Sequence, residues 1–175
     1  YELTLLGSRQ GWNAALARAA LERAAEEFPV SRKAWREGLA GVDWPGRFEI
    51  RRLGAKTAIL DGAHNPEAMA QLTRTLASSP WRRCRLHWII GVMKDKDYPE
   101  IIRQAAPFLR EAVAVKPASP RALDAARLAD EMKSQVPSAN ITHEADAQSA
   151  IRRWLADKNG PKTSVICGSF YLIGA

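Results

Sequence analysis

The sequence predicts an α/β fold: a Rossmann-like, mostly parallel sheet with helices on both faces, plus a helical segment at the N-terminus. Three observations carry that prediction. After residue 45, short β-type apolar runs alternate with amphipathic helical runs across short turns. Arg85-Leu86-His87-Trp88-Ile89-Ile90-Gly91 is almost wholly apolar at its centre, as a parallel strand covered on both faces is. The polar residues cluster where strands give way to helices, the edge at which right-handed crossovers gather ligand-binding turns. With 175 residues, 46% of them hydrophobic and 26% charged, the chain can build one ordinary core, or one domain plus a piece of another.

In chain order, residues 3–6 form a short apolar strand candidate, closed by a turn at Gly7-Ser8. From Asn13 an alanine-rich run reads as a helix with Leu16, Ala17, Ala20, Leu21 and Ala24 on one face, ended by Phe28-Pro29. Ser31 is a good N-cap for a second helix through Ala34, Trp35 and Leu39, which Gly38 and Gly41 close. Trp44-Pro45-Gly46 is a turn and the expected domain boundary, so residues 1–44 and 45–175 are separate units. Phe48, Ile50 and Leu53 alternate as a half-buried strand. Gly54-Ala55-Lys56 turns into a second strand, Thr57 to Leu60. After the strand at 85–91, a helix turns Tyr98, Ile101, Ile102, Ala105 and Leu109 inward. Ala112–Val115 is a buried strand, and a helix from about Pro120 uses Leu123, Ala126, Leu128 and Met132. Ala139–Thr142 is a weaker strand, residues 147–155 a helix, and Thr163–Cys167 the last strand, ending in Gly168-Ser169.

Several function classes drop out on composition. No apolar run approaches the roughly 18 residues that span a bilayer, and Tyr1-Glu2-Leu3-Thr4-Leu5-Leu6 lacks the basic start of a signal peptide. The sequence opens without Met, which reads as a start internal to a longer protein. Cys84 and Cys167 are far apart and read as reduced residues of a cytoplasmic protein. The net charge of +7 invites nucleic acid as a partner. However, the basic residues fall in scattered pairs without interleaved aromatics, so a basic surface serving a small anionic ligand fits better. His64, His87 and His143 show no metal-ligand spacing, so no metal site is expected within the chain.

The chemistry concentrates in Leu60-Asp61-Gly62-Ala63-His64-Asn65-Pro66. A strand precedes it, and Ala68, Met69, Leu72 and Leu76 follow at helical spacing. Asn65 suits an N-cap and Pro66 the first helical position, where a missing N–H costs nothing. Asp61 and His64 are left facing the crevice; the competing reading is an ordinary capped turn. Arg47 offers a planar five-donor head suited to phosphate, or else pairs with Glu49 on the surface. Lys94-Asp95-Lys96-Asp97 is either a ligand loop or a solvated charged loop. Neither G-x-x-x-x-G-K-[ST] nor G-x-G-x-x-G occurs, so the usual phosphate cradle is not in this sequence.

The turn, taken with Trp44-Pro45-Gly46-Arg47-Phe48-Glu49, resembles the folylpolyglutamate synthase/dihydrofolate synthase family of the Mur ligase superfamily. Gly7-Ser8-Arg9-Gln10-Gly11-Trp12-Asn13-Ala14 is similar to that family's G-x-H-Q-x-x-N-A stretch, Gly91-Val92-Met93-Lys94-Asp95-Lys96-Asp97 to its G-x-x-x-D-K-D loop, and Gly168-Ser169-Phe170-Tyr171-Leu172-Ile173-Gly174 to its ending. The resemblance implies an ATP-dependent ligase. In that reaction a carboxylate of dihydropteroate or of a folate's glutamate tail is phosphorylated, and the amine of L-glutamate displaces the phosphate. It also implies that residues 1–44 close an ATPase domain whose phosphate loop and Mg²⁺ ligands lie upstream. Residues 45–175 would then be a C-terminal domain facing ATP and glutamate. By resemblance, Asn13 touches adenine, Arg47 the phosphates and Asp61 the ribose or phosphate end of the nucleotide. His64 lies near the γ-phosphate or acyl phosphate, which makes His64, Arg47 and Asp61 the catalytic set. Ser169 is a weaker candidate for holding glutamate. A monomer is expected. The sequence departs from the pattern at Arg9, where the family has histidine, and at Val115-Lys116-Pro117, ahead of Pro120-Arg121-Ala122. A Mur-type amino-acid ligase of cell-wall synthesis and a non-catalytic basic α/β binding module remain the alternatives.

Overall fold

The computed structural model describes residues 2–84 and 86–174. Arg85, the first residue of the expected third strand, lies outside the described residues, as do Tyr1 and Ala175. Six strands form one sheet in the order β1-β2-β6-β3-β4-β5. The strands are β1 (Glu49–Leu53), β2 (Lys56–Asp61), β3 (Leu86–Ile90), β4 (Glu111–Val115), β5 (Asn140–Glu144) and β6 (Thr163–Cys167). Every neighbouring pair is parallel except β1–β2, an antiparallel hairpin turned by Gly54-Ala55. The prediction of a mostly parallel sheet therefore holds.

Helices cover both faces. α3 (Pro66–Ala77), α4 (Tyr98–Ala105) and α5 (Ala125–Gln135) follow one another along one face. Their apolar stripes, with Met69, Leu76, Ile101, Leu128 and Met132, bury against Ile59, Trp88, Ala112 and Val165. On the other face α6 (Ala147–Ala156) and the one-turn α7 (Phe170–Ile173) bring Ala150, Trp154 and Leu172 against Ile89, Val113 and Ile166. Alternate residues of β3 thus enter opposite cores, so the strand is buried at every position. The chain crosses from β5 back to β6 under the sheet, which inserts β6 between β2 and β3. Register then brings Asp61, Cys167 and Ile90 level at the carboxyl ends of three adjacent strands.

Four local expectations are corrected. Residues 3–6 form no strand; their Thr4 hydroxyl donates to the Val42 carbonyl at 2.5 Å, tying the segment to the end of the second helix. α1 (Ser8–Arg23) starts earlier than Asn13, and its predicted apolar face is uncovered, with Leu16 71% exposed. β1 is an edge strand whose Ile50 and Leu53 are exposed rather than half-buried, because nothing packs over the outer end of the hairpin. α5 starts at Ala125, where the Asp124 carboxylate accepts from the N–H groups of Ala126 and Arg127, and not at Pro120. Ser119 Oγ does accept from Arg121 N–H at 3.3 Å, but that segment closes only a turn, and the helix begins at the Asp124 cap. α2 (Arg32–Gly41) is capped by Ser31 as expected, and the Asn65–Pro66 start of α3 also holds.

Candidate functional site

The segment 45–48 and the turn 61–65 meet at the carboxyl end of β2, and backbone chemistry locks them together. Gly62 N–H donates to the Gly46 carbonyl at 2.8 Å, and Phe48 N–H donates to Asp61 Oδ2 at 2.9 Å. Asp61 Oδ1 accepts from Ala63 N–H, also at 2.9 Å. The Asp61 carboxylate is therefore a clasp, with one oxygen holding the incoming strap and the other its own turn. The strap needs that clasp because Phe48 sits at φ 50°, in the left-handed region that costs an L residue energy. The Phe48 ring is buried and packs on Trp81, which anchors the strap from below.

Held this way, Arg47 is half-buried with its guanidinium carbon 5.2 Å from the centroid of the Phe170 ring. It forms no ion pair within 4 Å among the described residues, although its charge acts on the nearby Asp61 carboxylate. Glu49 pairs with Arg51 and accepts from Gly46 N–H at 2.8 Å, so the alternative Arg47–Glu49 pair does not form. His64 Nδ1 lies 2.8 Å from the Gly62 carbonyl, which can only accept, so Nδ1 carries the proton. With Nδ1 engaged by that carbonyl, Nε2 is the ring nitrogen left for a ligand.

Arg47, Asp61 and His64 line one cleft of about 780 Å³, and Asn13 joins them from α1 across it. Asn13 Nδ2 donates to Gln10 Oε1 at 3.1 Å, leaving its carbonyl oxygen for a ligand. Four of the five predicted site residues are thus brought together. Ser169 is not among the cleft's lining residues: it is buried, and its hydroxyl caps α7 by accepting from Tyr171 N–H at 3.1 Å. The Lys94–Asp97 loop is absent from that lining too. Asp95 lies 3.7 Å from both Lys96 and Arg121, and Asp97 caps α4, as a solvated charged loop would. Arg9, the departure from the family pattern, pairs with Glu67 in the first turn of α3 and so bridges the cleft mouth. Among the described residues no group of three or more His, Cys, Asp or Glu side chains stands close enough to hold a metal ion. No described helix is long and apolar enough to cross a membrane.

Sequence reasoning missed Phe170 and the part played by Glu67. Phe170 carried a signal of a kind: two glycines, at 46 and 62, precede and follow Arg47 and Phe48, and both leave room for its ring. An added Cβ on Gly62 would lie 2.6 Å from two Phe170 ring carbons.

Burial tunes two titratable groups in opposite directions. The Asp61 carboxyl is pushed up from 3.8 to about 6, chiefly by desolvation, against the pull of its two N–H donors, Arg47 and His64. His87, on β3 beneath the sheet, is pushed down from 6.5 to about 4, again chiefly by desolvation, with Arg153 and Lys56 adding to it. The folded state holds the Asp61 proton more tightly than the unfolded chain does. That stability is full below pH 3.8 and is lost as pH rises through about 6. His87 works the other way: its contribution is full above pH 6.5 and is lost as pH falls through about 4. Asp61→Asn removes the first of these opposed slopes. Its urea midpoint should therefore fall more steeply than the wild-type midpoint when pH is lowered from 6.5 to 4; parallel curves would contradict the assignment.

The mostly parallel sheet thus gathers a guanidinium, an imidazole and a capped helix start at its strand ends, the arrangement of an α/β domain with its cleft at the carboxyl edge. The chain belongs to the Mur ligase, glutamate ligase domain family, which matches residues 46–170. It is 32% identical over 173 residues to a probable bifunctional folylpolyglutamate synthase/dihydropteroate synthase of Halobacterium salinarum, covering 98% of this chain and 20% of that protein. Among solved structures it is similar to Mycobacterium tuberculosis folylpolyglutamate synthase complexed with ADP and AMPPCP. The TM-score there is 0.85 at 33% identity, over 98% of this chain and 40% of that one. It is also similar to Escherichia coli FolC in complex with DHPP and ADP, with TM-score 0.79 at 30% identity, over 92% of this chain and 36% of that one. The chain thus spans well under half the length of these relatives.

Proposed function

We propose that the chain is the C-terminal part of a dihydrofolate/folylpolyglutamate synthase, an ATP-dependent ligase that adds L-glutamate to dihydropteroate, to folate tails, or to both. Residues 1–44 are the tail of its ATPase domain and residues 45–175 the domain that faces ATP and glutamate. The observation that carries the reading is the Arg47 guanidinium, half-buried in one cleft with His64 and in no ion pair within 4 Å among the described residues. Such a donor is built to meet an anion supplied from outside the domain.

The reaction moves the γ-phosphoryl of ATP onto the substrate carboxylate. The glutamate amine then attacks the acyl carbon, forming the amide bond as phosphate leaves. Positioning and charge stabilisation dominate such chemistry. Arg47 meets the transferring phosphoryl, where developing charge makes a fixed, desolvated donor most effective. His64 lies at the acyl phosphate. Its Nε2 accepts a proton from the attacking amine, or once protonated donates to the departing phosphate. Asp61 holds the Arg47 strap and meets the ribose or phosphate end of the nucleotide. Asn13 meets the adenine. Ser169 keeps a weaker claim on the incoming glutamate, since its hydroxyl is already engaged. ATP is the cofactor in this reading, and the Mg²⁺ ligands belong to the part of the protein upstream of this chain. The enzyme is a cytoplasmic monomer that binds neither nucleic acid nor membrane; the free thiols of Cys84 and Cys167 fit that compartment.

His64→Ala tests the reading. In the full-length protein it should lower turnover while leaving folate affinity near wild type. The 175-residue chain alone should show no glutamate-dependent ATP hydrolysis. An unchanged turnover number removes His64 from the mechanism, and hydrolysis by the chain alone overturns the division of labour between the two parts.

A further inference from the structure

Phe170 is an odd residue for the place it occupies. It is 41% exposed at the start of α7, yet it makes contacts with both halves of the cleft wall. Its ring is pressed against Gly62, where an added Cβ would come within 2.6 Å of three ring carbons, and against Gly46, where one would lie 3.2 Å away. The Arg47 guanidinium lies over the ring at 5.2 Å, and the His64 imidazole stands beside it at 6.1 Å between centroids, tilted by 53°. Strap, turn, guanidinium and imidazole thus share one aromatic neighbour from a third element. Arg47 forms no ion pair within 4 Å among the described residues, so removal of this ring would leave its guanidinium without its closest packing partner.

Resting on the ligase reading above, we propose that Phe170 is a positioning residue: its ring sets the Arg47 guanidinium and the His64 imidazole in a single arrangement facing the phosphoryl group. The ring keeps the guanidinium's edge donors free, because a cation held through its π-face spends none of its N–H groups. A carboxylate in the same place would hold Arg47 as firmly but would occupy two of the donors that the substrate needs.

The test uses the full-length protein and Phe170→Leu, which keeps apolar volume but removes the ring face. Turnover at saturating ATP should fall about tenfold or more, the scale set by misplaced catalytic groups, while KM for the folate substrate stays at the wild-type value. Arg47→Ala should cost far less in the Phe170→Leu background than in wild type, because the ring acts through that guanidinium. Additive losses, or wild-type turnover in Phe170→Leu, overturn the proposal. A second measurement is independent of any activity and of the variant's folding. In ¹H–¹³C spectra of the wild-type chain, the Arg47 side-chain and His64 ring protons should carry ring-current shifts. Signals at unshifted positions overturn the proposal even if ligation is confirmed, whereas shifted signals without ligation leave the geometry standing and sink the ligase reading instead.

Discussion

Arg47→Ala in the full-length protein is expected to lower ligation by about a hundredfold to a thousandfold at saturating substrate, the range for losing one preorganised donor to a developing oxyanion. Stability should scarcely change, since the side chain is only half-buried and releases no partner carboxylate. Arg47→Lys should recover only part of the loss. It restores a charge, but not the planar fork or the flat face that rests on Phe170. Steady-state turnover beside a melting curve checks this. Wild-type turnover in Arg47→Ala would mean that the guanidinium merely decorates the cleft.

Asp61→Ala should be the most damaging substitution in the domain, because it acts on both structure and chemistry. Phe48 N–H and Ala63 N–H would lose their acceptors in a region where Phe48 and Ala63 are themselves buried. Each unsatisfied buried donor costs about 1–3 kcal/mol. Relaxation of Phe48 out of its left-handed φ of 50° returns part of that, leaving a net loss of about 2 kcal/mol. The strap would drift and carry Arg47 with it, so turnover should fall at least as far as in Arg47→Ala. Asp61→Asn keeps one acceptor oxygen and should sit between the two. If Asp61→Ala melts like wild type, the clasp is not what holds the strap.

Much of this was legible in the sequence, for stateable reasons. The strands β3, β4 and β6 announce themselves because burial on both faces leaves β-type runs such as Leu86–Ile90, Ala112–Val115 and Val165–Cys167, whereas β5, mostly exposed, gives a weaker signal. The start of α3 was readable because Asn65-Pro66 is a local device that needs no tertiary help. The rule that parallel strands bring their carboxyl ends to one edge placed Asp61 and His64 at the sheet's ligand edge, whereas Arg47 reaches them because β1 runs antiparallel to β2 and so begins where β2 ends. What stayed hidden was tertiary. Residues 3–6 have strand composition but no neighbouring strand to pair with. Ile50 and Leu53 alternate correctly, yet nothing covers them. Ser169 carries the family's motif, but the structure shows its hydroxyl already engaged by the backbone of α7. Phe170 reads as one more apolar residue until the glycines opposite it are seen in space. Asp61 also holds the strap and its own turn through one backbone N–H bond to each carboxylate oxygen, a role that no pattern of residue types reveals.

The close fit between Gly62 and Phe170 also bears on how this domain can diverge. With the aromatic in place, position 62 admits no side chain without pushing the ring aside. The two positions, more than a hundred residues apart in sequence, are therefore expected to drift as a pair. A lineage that first trades the ring for something smaller gains freedom at the turn, while one that changes the turn first meets a barrier.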